Sequence, residues 1–260
     1  MGRVHKHLLL DSLLHYVLVC DAPLHHTRAY ESHLHLDVAT GSGLNVLIIA
    51  SMIKNPSTSG HLLVTSDISP LMQEAFIRRF EEAGFMMNPN NSVYTCADEI
   101  LKPLSFSDEE KGIHVKNYIA NNEKLPFLSE QFESYTASLS LMYVENRHNQ
   151  LREAYRVLRK EGIAGFSVWG RRKNSAFVTL AQRAIVMAGV RFPKTATDPF
   201  YLGVDKQSLI DDERKAGFKE AVSFYFTGYT NFKDGKEAYG KISLHPRFKY
   251  IPEEKREEVR

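Results

Sequence analysis

The residues best suited to ligand chemistry form an acidic, glycine-rich turn near the start of the chain. An apolar run at 34–38 contains Asp37, leads to Gly41 and Gly43, and is followed by an apolar segment at 44–50. This order of residue types predicts a strand, a tight turn and the N-terminus of a helix. Glycines lack a Cβ atom, so such a turn can adopt left-handed dihedrals and let a ligand approach the main chain. The chemistry that we expect is binding of a nucleotide or a nucleoside.

Two other interpretations of this turn stay open. A dinucleotide fingerprint requires G-x-G-x-x-G, and Val46 occupies the position of its third glycine. The third glycine normally lets the helix pack closely on the strand, so its absence disfavours pyrophosphate binding. A structural turn without any ligand also fits so short a pattern.

A second acidic residue ends the next apolar run. Asp67 follows the run at 62–66, roughly 20 residues after the glycines, where a Rossmann-like fold places a carboxylate that binds ribose hydroxyls. Ser69 and Pro70 then match the N-cap and first position of a helix. The sequence therefore predicts that Asp67 binds the sugar of a nucleoside.

Four segments together resemble class I S-adenosylmethionine-dependent methyltransferases of type 11, the family that includes the ubiquinone and menaquinone biosynthesis enzymes. They are Asp-x-Ala-x-Gly-x-Gly at 37–43, Asp-x-Ser-x-x-Met at 67–72, Asn-Asn-Glu-Lys-Leu-Pro-Phe at 121–127, and the segment at 151–162, in which Arg-Val-Leu precedes Lys-x-Gly. The third segment is similar to Asp-Ala-x-x-Leu-Pro-Phe in the family, and it has asparagine where the family has its acid. The fourth segment has the apolar spacing of a helix, and we expect Gly162 to end that helix.

The resemblance implies that the cofactor is S-adenosylmethionine, which would lie at the ends of the strands. The family's acid contacts the adenine amino group, and Asn121 can accept that hydrogen bond only without the help of a charge. The cofactor-binding residues that the resemblance implies are Asp37, Ala39, Thr40, Gly41, Gly43, Asp67, Ile68, Met72, Asn121, Asn122, Glu123, Ser138, Leu139 and Ser140.

The resemblance also implies in-line transfer of a methyl group to a small-molecule acceptor. A sulfonium is already a strong electrophile, so no metal or covalent nucleophile is required, and no metal-ligand spacing is present among the histidines and cysteines. A phenolic acceptor would benefit from a general base, for which His25, His26 and Tyr143 are candidates. We expect the segment at 221–229 to be rich in strand. The aromatic-rich stretch at 224–232 is typical of a lipophilic acceptor pocket and equally of an alternating strand.

Alternating strand and helix patterns predict an α/β protein with a parallel sheet and helices on both faces. With the resemblance, the expected fold is the Rossmann-like class I methyltransferase fold: a seven-stranded, mostly parallel sheet with a C-terminal antiparallel hairpin. We expect a helical extension or lid at 1–29, a methyltransferase domain at 30–232 with an insertion at 85–112, and a charged tail at 233–260.

Composition restricts the classes of partner and compartment. A formal charge of +2 over 260 residues gives no electrostatic case for a nucleic-acid partner. The two cysteines suit a reducing compartment, and no apolar stretch approaches the roughly 20 residues of a membrane helix. We expect a cytoplasmic protein; a mitochondrial one is the alternative, because the segment at 8–20 resembles a targeting segment. The oligomeric state stays open.

Three functions are compatible with these observations. A methyltransferase acting on a small molecule is the first, supported by all four segments. A catalytically silent domain that serves as a partner subunit is the second, favoured by Asn121 and by the insertion. A nucleotide-dependent oxidoreductase is the third, and the missing third glycine opposes it.

Overall fold

The fold is described from a computed structural model. The structure describes residues 27–53, 60–85, 104, 111–190, 198–226, 233–242 and 251–256. His25, His26, nearly all of the predicted extension and most of the predicted insertion at 85–112 lie outside these described residues.

A parallel sheet forms the centre of the described structure. Its strands are β1 (Leu34–Val38), β2 (Gly60–Asp67), β3 (Gly112–Ile119), β4 (Phe132–Ser138) and β5 (Leu158–Ser167). Their order is β3-β2-β1-β4-β5, and every neighbouring pair is parallel. The chain runs outward from β1 to β3 and then crosses to β4 on the other side of β1. This reversal creates a topological switch point between β1 and β4, which is where ligands bind in open sheets of this type.

Helices cover both faces of the sheet. The helices are α1 (Leu44–Met52), α2 (Pro70–Glu82), α3 (Arg147–Val157), α4 (Ala176–Met187), α5 (Lys206–Ala216) and α6 (Gly235–Ile242). Successive strand residues point to opposite faces. Leu63 and Val115 therefore pack with Phe76 under α1 and α2, whereas Leu36 packs with Ala154 under α3. The predicted α/β class, with its parallel sheet covered on both faces, is confirmed.

The number of strands differs from the prediction. Five strands, rather than seven, are found in the described residues. The segment at 221–226, predicted to be rich in strand, forms none, and Phe224 and Phe226 are 46% and 49% exposed. Instead, the Tyr225 hydroxyl donates a hydrogen bond to the Gly203 carbonyl at 3.0 Å. A side-chain hydrogen bond, and not strand pairing, therefore holds this segment in place. Residues 227–232 lie outside the described part of the chain.

The junction of α3 and β5 also differs from the prediction, which ended a helix at Gly162. The helix ends at Val157 and β5 begins at the next residue. Phe132 lies opposite Leu158 and Ser134 opposite Ile163, so residues 159–162 bulge out of the ladder. A Cβ atom on Gly162 would lie 2.9 Å from the Arg159 carbonyl oxygen. This glycine therefore permits a bulge, not a helix C-cap.

Candidate functional site

The glycine turn lies at the carboxyl end of β1 and opens into free space. Ala39, Gly41 and Gly43 have φ values of 49°, 56° and 83°, so three alternate residues adopt left-handed backbone. A Cβ atom on Gly43 would lie 2.0 Å from Cδ2 of Phe76, because α2 packs directly against the turn. A Cβ atom on Gly41 would come no closer than 4.0 Å to another atom. Gly43 is therefore required for packing, whereas Gly41 leaves space above the turn.

Asp37 lies beneath this turn and is fully buried. Its Oδ1 accepts hydrogen bonds from the Thr136 hydroxyl at 2.6 Å and from Nδ2 of Asn45 at 3.2 Å. Its Oδ2 has no hydrogen-bond partner among the described residues. Burial raises the pKa of Asp37 to about 6, against the lowering effect of the hydrogen bonds from Thr136 and Asn45. A buried carboxylate oxygen without a partner can bind a cationic or hydrogen-bonding group of a ligand.

Asp67 joins the end of β2 to the glycine turn. Its Oδ2 accepts from the Gly41 amide at 2.8 Å and its Oδ1 accepts from the Ser69 amide at 2.9 Å. A carboxylate has about four acceptor positions, so two remain for a pair of hydroxyl groups. The side chains of Ile68 and Met72 next to it are 67% and 45% exposed. A polar acceptor and an apolar surface therefore lie side by side.

In the segment after β3, side chains that the resemblance assigns to the cofactor already form hydrogen bonds within the protein. Oδ1 of Asn121, the atom expected to accept from adenine, already accepts from the Glu123 amide at 2.9 Å. The Glu123 carboxylate accepts from the amides of Glu145 and Asn146 at 2.8 and 3.1 Å. Asn122 is buried. Glu123 therefore stabilises the loop that leads into α3.

The end of β4 is connected to β5 and α3. Oγ of Ser138 lies 2.8 Å from Oγ of Ser167, and Oγ of Ser140 accepts from Nε2 of Gln150 at 3.0 Å. Leu139, between the two serines, has a φ of 52°. Tyr143, the one candidate base in the described residues, is 64% exposed. These contacts rigidify the floor of the site next to β1.

A buried polar chain supports Asp37, and sequence reasoning missed it. Nε2 of His35 lies 3.0 Å from the Thr136 hydroxyl, and Nδ1 of His35 lies 2.7 Å from Oγ of Ser134. Burial lowers the pKa of His35 to about 3, so the ring is neutral. The available signal was the occurrence of His35 two residues before Asp37 in an apolar strand, which places both on one face. These hydrogen bonds fix the position of the Thr136 hydroxyl that donates to Asp37.

Sequence reasoning also missed the contacts of Arg156, the arginine of the Arg-Val-Leu run in the fourth segment. The Arg156 guanidinium donates to the carbonyls of Phe127 and Leu125 at 2.7 and 3.1 Å. It also forms two 2.7 Å bonds with the Glu153 carboxylate, which in turn accepts from the Leu125 amide. Helix α3 therefore holds the Leu-Pro-Phe segment in place through two charged side chains.

Comparison with known families decides the classification. A family model described as a methyltransferase domain matches residues 36–166, half of the chain. The chain belongs to this methyltransferase family. The resemblance to class I S-adenosylmethionine-dependent methyltransferases is thereby confirmed, and the matched range contains the glycine turn, Asp67 and the end of β4 of this methyltransferase domain.

Solved structures share the fold of this methyltransferase domain at low sequence identity. A candidate methyltransferase from Bacillus halodurans C-125 is 16% identical, with a TM-score of 0.52 over 92% of this chain and 87% of that one. The cyclase SpnF is 17% identical, with a TM-score of 0.53 over 89% and 69%. The YcgJ protein from Bacillus subtilis is 15% identical, with a TM-score of 0.42 over 64% of this chain, which spans 58% of its length. None of the curated proteins matches the sequence.

The Bacillus halodurans protein and SpnF share the fold of the methyltransferase domain and leave its reaction open. A protein named as a cyclase and one named as a candidate methyltransferase resemble the chain equally well. One fold can support different chemistry, so the reaction has to be argued from the residues of the site.

The described part of the methyltransferase domain offers no metal centre. No group of three or more histidine, cysteine, aspartate or glutamate side chains is arranged to hold a metal ion in the ranges that the structure describes. In the same ranges, no helix combines the length and the apolar character needed to cross a membrane.

Proposed function

We propose that this methyltransferase domain binds S-adenosylmethionine at the carboxyl ends of β1, β2 and β4 and transfers its methyl group to a small-molecule acceptor. The observation that carries the proposal is the position of Asp67 between the open glycine turn and an exposed apolar surface. Two acceptor positions of Asp67 suit the ribose diol, and the side chains of Ile68 and Met72 suit the flat face of adenine.

The methionine end of the cofactor suits the other half of the site. Its ammonium group would lie over the turn that covers Asp37. The buried Oδ2 of Asp37 has no partner among the described residues, and its charge attracts a cation. Gly41 leaves room for the ligand to approach the main chain. Five of the predicted cofactor residues therefore present a charge, a polar group or an apolar surface to the ligand: Asp37, Gly41, Asp67, Ile68 and Met72. By contrast, Gly43 serves packing and Glu123 stabilises a loop.

The residues of the chain would align reactants and exclude water. When bound, S-adenosylmethionine supplies a sulfonium methyl group: a lone pair of the acceptor forms the new bond to carbon, and the carbon–sulfur bonding pair stays on sulfur. Any proton lost by the acceptor passes to water or to a base. Alignment of the acceptor with the methyl carbon and sulfur is the main contribution that the protein can make.

Calorimetric titration of the purified chain tests the proposal. S-adenosylmethionine and S-adenosylhomocysteine should bind with micromolar dissociation constants, and NAD should not bind. The Asp67→Asn variant, which keeps the shape and loses the charge, should bind at least tenfold more weakly, because charged hydrogen bonds contribute about 1.5–3 kcal/mol. Asp211→Asn is the matched control, since Gln207 is the one hydrogen-bond partner of the exposed Asp211 side chain among the described residues.

Each alternative has its own outcome in this titration. Binding of NAD alone would support the oxidoreductase. Absence of binding by all three ligands would overturn the proposal in favour of a silent partner domain. If the wild type and Asp67→Asn bind the cofactor with equal affinity, the assignment of Asp67 to the ribose is wrong. Incubation with labelled cofactor and a panel of acceptors then tests transfer itself.

The assignments beyond the cofactor site remain predictions from the sequence. They are the division into 1–29, 30–232 and 233–260, the cytoplasmic location and the lipophilic character of the acceptor. Limited proteolysis with mass spectrometry tests the division, because cleavage is expected near these boundaries and not within β1 to β5.

A further inference from the structure

Two cationic side chains converge on one tyrosine ring beside the predicted cofactor site. The guanidinium carbon of Arg171 lies 4.7 Å from the centroid of the Tyr225 ring, and Nζ of Lys206 lies 5.0 Å from it. The ring is held in place, because the Tyr225 hydroxyl donates to the carbonyl of Gly203 at 3.0 Å. The three side chains come from the loop after β5, the start of α5 and the segment at 221–226. We call Arg171, Lys206 and Tyr225 the two-cation site.

Neither cation of the two-cation site is neutralised within the described residues. No described carboxylate lies within 4 Å of Arg171 or Lys206, whereas the neighbouring Arg172 forms a 2.9 Å ion pair with Asp198. The carboxylate of Asp205, next to Lys206 in sequence, caps α5 by accepting from the Gln207 amide at 2.9 Å. The ring attracts each cation, but it does not cancel their charges.

The helix adds to this positive potential. Lys206 is the first residue of α5, where unpaired amides and the helix dipole disfavour a cation and favour an anion. Two like charges around a single ring also repel each other. An anionic ligand would remove both penalties at once, and a planar carboxylate or a phosphate matches the fork of an arginine.

The two-cation site lies on the side of the sheet where the cofactor is proposed to bind. Leu139, at the end of β4, belongs to the same hydrophobic cluster as Leu202 and Trp169. Arg171 follows Trp169 by two residues. Neighbouring strands are separated by about 4.8 Å, so the end of β5 lies about 10 Å from the end of β1, and Arg171 lies in the loop that follows β5. The acceptor would therefore extend from the reacting methyl group past the end of β5 to the two cations.

Aromatic surface accompanies the charges. The side chains of Phe224 and Tyr201 are 46% and 39% exposed, and the Tyr225 ring is itself 40% exposed. An apolar body of a ligand would bury part of this surface. Charge and apolar area together define a ligand with one anionic end and an apolar remainder.

We propose that Arg171 and Lys206 bind the anionic group, a carboxylate or a phosphate, of the methyl acceptor, whose apolar body lies against the aromatic side chains around Tyr225. This inference rests on the proposed function, because it assigns the ligand as the acceptor. It restricts the acceptor to anionic small molecules and makes the two cations determinants of specificity.

Trp169 provides a direct optical measurement. It is the single tryptophan of the chain, and its ring lies 6.3 Å from that of Phe200 in the same loop region as Arg171. The full-length protein is titrated with benzoate, phenyl phosphate and the neutral benzamide, with and without S-adenosylhomocysteine, while tryptophan emission is recorded. Comparing benzoate with phenyl phosphate distinguishes the carboxylate from the phosphate.

We expect at least one of the two anions to bind at least tenfold more tightly than benzamide. The Arg171→Gln/Lys206→Gln variant should lose this preference. Arg172→Gln is the matched control and should retain it, because Arg172 is already paired with Asp198. The single variants Arg171→Gln and Lys206→Gln should each lose part of the preference, which keeps the test valid if the double variant does not fold.

Equal affinity for all three probes, or absence of binding by any of them, would overturn the proposal. So would a preference that survives the loss of both cations, or one that Arg172→Gln also abolishes. Binding of S-adenosylhomocysteine without an anion preference contradicts the two-cation site alone. An anion preference in a chain that does not bind S-adenosylhomocysteine contradicts the proposed function and leaves the anion-binding property in place.

Discussion

At the scale of single residues, Asp37 shows the conflict between burial and charge. The side chain is fully buried, and burial raises its pKa to about 6 from 3.8. Its two hydrogen-bond donors reach the same oxygen and leave the other without a described partner. The carboxylate is therefore destabilised when ionised in the free protein, and a cationic ligand group would offset this cost.

The raised pKa predicts that ionisation of Asp37 lowers stability as pH rises. Below about pH 4 the carboxyl is neutral in both states, and between about 4 and 6 only the unfolded chain releases the proton, so the free energy of unfolding falls. Above about pH 6 the loss is complete and amounts to about 3 kcal/mol.

Urea unfolding of the wild type and of Asp37→Asn from pH 4 to pH 7 checks this. The wild type should lose more stability than the variant over the rise to pH 6, because asparagine does not ionise. Parallel pH profiles would show that Asp37 titrates normally in the fold.

Ala39 is a second residue at which local chemistry and structure conflict. Its φ of 49° lies in the left-handed region, which costs an L-residue about 1–2 kcal/mol. Glycine adopts this conformation freely and loses about 0.5–1 kcal/mol more entropy on folding. Ala39→Gly should therefore raise the free energy of unfolding by about 0.5 kcal/mol.

Ala50→Gly, in the last turn of α1, is the control for Ala39→Gly. It should lower the free energy of unfolding by up to about 1 kcal/mol, because glycine disfavours helix. Chemical denaturation of both variants gives the signs. A loss of equal size in both would contradict the strain that we assign to Ala39.

At the scale of elements, α3 positions the loop that follows β3. Arg156 and Glu153 bind the main chain of Leu125 and Phe127 from the last turns of this helix, and Glu123 binds the amides just before the helix begins. Helix and loop therefore form one unit. The charged residues of the fourth segment serve this architecture, and none of them contacts the glycine turn in the described structure.

Arg156→Ala should lower the free energy of unfolding by about 2–3 kcal/mol, because it leaves two carbonyls and a carboxylate without their charged donor. Arg156→Lys should not restore it, since one ammonium cannot replace both sides of a guanidinium fork. Urea unfolding measures the change. Arg152→Ala is the matched control on the same helix, because the Arg152 side chain is exposed and, in the part of the chain that the structure describes, hydrogen-bonds only to Asn149. A change of similar size in both alanine variants would contradict the assigned role.

At the scale of the whole molecule, the candidate site is assembled from distant parts of the chain. The hydrogen bond between Thr136 and Asp37 spans 99 positions, and the bond between the Gly41 amide and Asp67 spans 26. A ligand that contacts these strand ends together binds only the folded chain. Ligand binding and global stability are therefore linked.

This linkage predicts that S-adenosylhomocysteine stabilises the whole domain. At about 100 times its dissociation constant it should add about 2.7 kcal/mol to the free energy of unfolding, which for a domain of this size raises the melting temperature by about 5–10 °C. Differential scanning calorimetry measures the shift. NAD at the same concentration should give no shift. With Asp67→Asn, S-adenosylhomocysteine at that concentration should give about half the shift or less, because tenfold weaker binding leaves about 1.4 kcal/mol; a shift equal to that of the wild type would contradict binding at Asp67.

The sequence by itself determined the features that depend on local spacing. The order of strands and helices, the glycine turn and the two acids at the ends of β1 and β2 follow from periodicity and from residue types within about ten positions of each other. The helix end at Gly162 was wrong for the same reason, because only pairing with β4 shows that this glycine lies in a bulge.

The tertiary structure decided which side chains meet across the sheet and between elements. Thr136 reaches Asp37 because parallel register places them side by side, and Arg156 reaches the Leu-Pro-Phe loop because α3 packs over it. Arg171, Lys206 and Tyr225 meet because the Tyr225 hydroxyl is anchored at Gly203. Such contacts depend on the register of strands and the packing of helices, which short-range patterns do not encode. The roles that we propose for Asp37 and for the two cations rest on these contacts.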